Sequence, residues 1–180
     1  AAGAGAAAAT VALTYGVALA LGRARQTDAA LAELSGLEAE HGGRIWYRLA
    51  QAEILLDGER TEQALALLEA QLDINLDNLP LSRLYVRALN QAGRHRESVA
   101  VLQEQVQRRP ENEALWFELA ETAGLAGDIA TVHLARAEYF QLHGALTQAM
   151  QHYQQALELA TEDYTLRARL RQRMADLREL

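Results

Sequence analysis

The sequence predicts an all-α chain, a helical solenoid of about four to five helix pairs closed by a C-terminal capping helix. Three observations lead there. Alanine and leucine dominate the 180 residues, half of which are apolar, and only two prolines interrupt them. Both residues lose little side-chain freedom on entering a helix. A 34-residue period runs without a gap from Val11, Ile45, Leu79 and Glu113, the length of a helix–turn–helix repeat. Glycine or proline falls between the periodic stretches, as turns require.

The period fixes what each position is for. Slot eight of the successive units holds Ala18, Ala52, Val86 and Ala120, and slot twenty holds Ala30, Ala64, Ser98 and Val132. Small residues there let the two helices of a pair, roughly 14 residues each, approach closely. Slot eleven holds Leu21, Leu55, Leu89 and Ala123, and slot twenty-four holds Leu34, Leu68, Leu102 and Arg136. These fill the seam and reach the next unit. Gly58, Gly93 and Gly127 are expected at the helix junctions, where a left-handed residue ends a helix at low cost. Pro80 is expected at the opening of a helix, and Pro110 with Glu111 and Asn112 marks the break before Glu113.

The fourth unit fails in its second half. Restarting the count at Ala130 restores the pattern, with Ala137 in slot eight, Phe140 in slot eleven, Gly144 at the turn and Ala149 in slot twenty. Residues 128–142 are therefore expected to form one helix serving two units, with the concave wall ending or turning near Gly127–Gly144. The domain reading is a low-complexity segment over 1–10 and a repeat array over 11–160. Its units lie near 11–44, 45–78, 79–112, 113–129 and 130–160, and a capping helix covers 161–180. The cap has an apolar stripe of Leu166, Leu170, Met174 and Leu177, its arginines mostly elsewhere, and acidic residues at its start to suit the helix dipole.

The stretch "ENEALWFELAETAGLAGD", with Trp116, Ala120 and Gly127, closely resembles a tetratricopeptide repeat, and the likeness covers about residues 11–160. A narrower resemblance lies in "HLARAEYFQLHGALTQAMQHYQQALELATEDYTLRARLRQRMADLREL". Together with "TYGVALALGRARQTDAALAEL", it is similar to the C-terminal domain of BepA-type periplasmic zinc metalloproteases. That resemblance implies the non-catalytic part of a periplasmic protease or chaperone acting in outer-membrane protein assembly and quality control. The implied partners are its own peptidase domain, the barrel-assembly machinery and outer-membrane protein substrates. Zinc is expected only in a peptidase domain, and this stretch contains none. The chain is expected to be a fragment, with any targeting sequence outside it. The alternative reading is a free-standing tetratricopeptide adaptor in another assembly or secretion pathway.

Chemistry is scarce in the residues themselves. No HExxH pair, GxSxG elbow, phosphate loop or dinucleotide fingerprint occurs. His41, His95, His133, His143 and His152 have no metal-ligand spacing, and with no cysteine a thiolate site is impossible. No enzyme activity, cofactor or metal is expected of this chain. A net charge of −7 argues against nucleic acid. The uncharged residues 1–22 are too rich in alanine and glycine to suggest membrane insertion. All seventeen basic residues are arginine, which reads as genome composition.

Partner binding is expected on the first helix of each pair, at slots two, five, nine and twelve. They read Trp46, Leu49, Glu53 and Leu56, then Pro80, Arg83, Arg87 and Asn90, then Ala114, Phe117, Glu121 and Gly124. Trp46 and Phe117 are candidate anchors. Arg83, Arg87 and Asn90 share a face suited to a carboxylate, unless Glu53 and Glu121 pair with the arginines and cancel the site. Trp116 is expected in the core.

Overall fold

The computed structural model describes residues 2–179, with side chains from Ala8 onward. The protein is all-α, with helices packed in sequential pairs, and it divides into two compact units, residues 1–92 and 93–180.

The first unit holds α1 (Ala2–Arg23), α2 (Thr27–His41), α3 (Ile45–Asp57), α4 (Thr61–Leu72) and α5 (Leu79–Gln91). Residues 1–10, distinguished by low complexity, fall within α1 except Ala1, which lies outside the described residues. Ala18, Ala30, Ala52 and Ala64 are fully buried where the helices meet. Leu34 and Leu68 are also fully buried, and Leu55 nearly so. Consecutive helices pack together, and so do α1 with α3 and α3 with α5. The three first helices of the pairs therefore share one layer. Gly22 permits that closeness, because a Cβ there would lie 2.7 Å from Ile54 Cγ1. Pro80 stands in the first turn of α5, and Asn78 caps that helix by accepting from the Leu81 N–H.

The turns correct one expectation. Gly58 has an ordinary φ of −84°, and the left-handed residue is its neighbour Glu59, at φ 62°. The equivalent residue of the preceding turn, Arg25, is also left-handed at φ 56°, and Arg25 Nη1 pairs with Glu59 Oε1 at 3.1 Å. Gly58 has another reason to be glycine: a Cβ there would lie 2.4 Å from Thr27 Oγ1. Close approach of the turn to α2, not handedness, excludes a side chain. Gly93 and Gly127 do take left-handed φ, 73° and 74°.

The second unit holds α6 (His95–Arg108), α7 (Glu113–Ala126), α8 (Ile129–Leu142), α9 (Leu146–Leu159) and α10 (Tyr164–Arg178). Its packing runs through consecutive helices, and α8 lies against both α7 and α9. Asn112, Asp128 and Asp163 cap α7, α8 and α10 with side-chain oxygens. Trp116 is buried, and its indole N–H donates to the Pro110 carbonyl at 2.7 Å. Leu170, Met174 and Leu177 of α10 join Ala149, Tyr153 and Ala156 of α9 in one cluster, with Leu166 at its edge. A buried carboxylate also holds α10: Glu138 of α8 meets Arg173 Nε at 2.9 Å.

Candidate functional site

In the first unit, the layer of α1, α3 and α5 carries five of the residues expected to meet a partner. Trp46 opens α3 with 46% of its surface exposed, under the guanidinium of Arg44 at 5.1 Å from the ring centre. Glu53 and Arg83 are exposed, and Asn90 is half-buried with contacts of its own. Arg87 is exposed but paired, its Nη2 lying 2.5 Å from Asp57 Oδ1. Asp57, the last residue of α3, thus holds the position next to Arg87, one turn beyond Glu53. Leu56, read as groove-facing, is only 1% exposed. α1, α2, α4 and α5 all pack on α3.

Two of the clefts formed by the described residues open on this layer. One, of about 400 Å³, is lined by Gly22, Arg23, Asp57, Glu59, Arg87 and Gln91 among others, at the C-terminal ends of the three helices. Arginines there oppose the negative end of the helix dipoles, and Arg25–Glu59 and Arg87–Asp57 hold two of them. The other cleft, about 450 Å³, lies between α1 and the start of α3. Its walls are Ala8, Val11, Ala12 and Tyr15 on one side and Trp46 and Tyr47 on the other, with His41 and Arg44 at the mouth. The Tyr15 and Tyr47 rings are 5.9 Å apart, and Trp46 and Tyr47 meet edge-on at 6.0 Å. Burial, and then the Glu53 charge, push the Tyr15 hydroxyl above its usual pKa. Tyr15, Tyr47, Arg44 and His41 were not among the expected site residues. Tyr15 was within reach of the same count, because it is slot five of the unit beginning at Val11.

The second unit holds the other two expected residues. Phe117 is 55% exposed and its ring lies 6.0 Å from that of Tyr139; Glu121 is exposed on the same helix. A run of rings continues from there across α8 to α9. Tyr139 meets Phe140 at 5.8 Å, and Phe140 stacks on His152 at 5.4 Å with planes 9° apart. His152 lies over His133, with their Nδ1 atoms 2.9 Å apart. One proton must serve both atoms, one ring donating and the other accepting. Burial lowers both imidazole pKa values; Arg136 adds to this in each, and His133 does so for His152. His143 Nε2 lies 3.0 Å from Glu113 Oε2. Among the described residues, no group of three or more histidines, cysteines or acids is placed to hold a metal ion. No described helix is long and apolar enough to cross a membrane.

Residues 60–169 match the family Tetratricopeptide Repeats-Sensor. The chain belongs to that family. Repeat domains of this kind serve protein–protein interaction, and their usual role is non-catalytic. Solved structures of tetratricopeptide proteins share the fold of this Tetratricopeptide Repeats-Sensor chain. MamA from Desulfovibrio magneticus RS-1, residues 41 to the end, superposes with a TM-score of 0.62 at 12% identity, covering 94% of this chain and 95% of that one. A double mutant of MamA RS-1 gives the same score and identity, covering 94% of both chains. TTC0263 of Thermus thermophilus, a thermophilic tetratricopeptide protein, reaches 0.55 at 18% identity, covering 94% of this chain and all of that one. Identities this low show common architecture alone. No curated protein matches the sequence.

Proposed function

We propose that this chain is a docking module that holds an extended protein segment against the α1–α3–α5 layer of its first unit. It does so as the non-catalytic part of a periplasmic zinc metalloprotease or chaperone serving outer-membrane protein assembly and quality control. The observation that carries the docking reading is the exposed row on α3 and α5. Trp46 offers an aromatic anchor, and Glu53, Arg83 and Arg87 offer charge along the same layer. Exposed aromatic and arginine side chains are the residue types that dominate binding hot spots. The periplasmic reading draws on the likeness of residues 128–180 to the end of BepA-type proteases.

The test is capture from a periplasmic extract by the immobilised chain, with the bound proteins identified by mass. Barrel-assembly components, outer-membrane proteins or a zinc peptidase domain among them would support the reading. Capture of none of these would remove the periplasmic part and leave the docking module.

A further inference from the structure

The cleft between α1 and the start of α3 has a composition that selects its occupant. Its interior is alanine, valine and three aromatic rings, and its volume, about 450 Å³, exceeds that of any single side chain. Charge stands at its mouth. Of the acids nearby, Glu38 is paired with Arg48 at 3.1 Å, and Glu40 Oε2 lies 3.6 Å from His41 Nε2, an ion pair when that imidazole is protonated. Arg44 has no carboxylate partner among the described residues and lies instead over the Trp46 ring. An unpaired cation at the mouth of an apolar cleft is notable on a chain of net charge −7.

We infer that this cleft binds a protein segment in which an apolar side chain is flanked by a carboxylate. The apolar group enters between Tyr15 and Trp46. Arg44 turns from the Trp46 face to the carboxylate, exchanging a cation–π contact for a charge-assisted hydrogen bond, which is the stronger of the two when geometry permits. Glu53 sets the orientation. It is two turns further along α3, roughly 10 Å from Trp46 along the helix axis, so the acidic group lies at the Arg44 end and is repelled from the other. The inference rests on the reading of this layer as a docking surface and adds the chemistry of what docks.

The experiment is NMR titration of the ¹⁵N-labelled chain with acetyl-Asp-Phe-Asp-amide, acetyl-Asn-Phe-Asn-amide and acetyl-Asp-Ala-Asp-amide. The first peptide should move the Trp46 indole and Arg44 Nε–H signals and leave Trp116 in place. The neutral peptide should bind roughly three- to fivefold more weakly, the loss of an exposed ion pair. The alanine peptide should bind about tenfold more weakly or worse, the loss of a buried ring. Arg44→Gln should abolish the preference for aspartate over asparagine while keeping the fold, and Trp46→Ala should weaken all three. Equal binding of the three peptides, shifts centred on another face, or no response at Trp46 would overturn the inference. Loss of this binding with capture through Arg83 and Arg87 intact would sink the cleft and spare the docking module.

Discussion

Gly58 and Gly93 fill equivalent turns for different physical reasons, and substitution separates them. A Cβ at Gly58 would press on Thr27, which is 8% exposed, and on the Ile54 carbonyl. At Gly93 a Cβ meets nothing within 4 Å, but φ is 73°. Gly58→Ala is expected to cost about 1–3 kcal/mol by overpacking, and Gly93→Ala roughly 1–2 kcal/mol by left-handed strain. Asparagine adopts the left-handed region more readily than alanine. Gly93→Asn should therefore recover most of the loss, whereas Gly58→Asn should be worse than Gly58→Ala. Denaturant unfolding of the four variants checks this, and recovery at both positions would show that the turns are alike after all. Arg25 and Glu59 carry the same strain with charged side chains, joined by an exposed ion pair that contributes little to stability.

Helices contribute through their seams. In the first unit Ala52 is completely buried where α3 meets its neighbours, so Ala52→Leu should destabilise by roughly 1–3 kcal/mol; an unchanged melting temperature would mean the helices can part without cost. The seam of α8 with α9 is expected to respond to pH. His133 and His152 have folded pKa values below 6.5, so the unfolded chain binds protons before the native one does. Stability from this pair is therefore present above that value and is lost as pH falls through it. Glu138 has the opposite sign. Burial raises its pKa above 4.5 against the pull of Arg173 and Arg169, so the native chain holds a proton the unfolded chain has released. Its contribution falls as pH rises through the window above 4.5. Unfolding measured stepwise between about pH 7 and 5 should show a loss on acidification that His152→Gln reduces. Arg173→Met leaves the Glu138 carboxylate buried without its cation. The expected cost is about 2–3 kcal/mol, less than for a fully enclosed pair because Arg173 keeps some water. Glu138→Gln in the same background should restore part of it.

At the scale of the whole molecule, the polar surface is separable from the core. Arg87 is exposed at the end of the α1–α3–α5 layer and supports no buried contact, its partner Asp57 being half-exposed too. Arg87→Glu should change the melting temperature by little, since a surface pair contributes under about 1 kcal/mol. It should still weaken capture of the physiological partner, through reversed charge beside Asp57. Binding at normal affinity would place the contact on another face. The charge of −7 disfavours a polyanion as partner.

Much of the fold follows from the 34-residue count. Small residues recur where helices must touch, and Pro80, Asn112 and Gly127 punctuate the helices where the backbone demands them. The same count pointed to Trp46, Arg83 and Phe117 as surface residues, because side chains repeat their direction when helices repeat their phase. It did not reach Leu56, whose burial depends on how many neighbours cover one turn of α3. Nor could it pair Arg87 with Asp57 rather than Glu53, or bring His133 and His152 within 2.9 Å. Periodicity assigns each side chain a direction on its own helix. Which groups meet across a seam depends on helix separation and rotation, set by every side chain packed between them, and only the tertiary structure decides that.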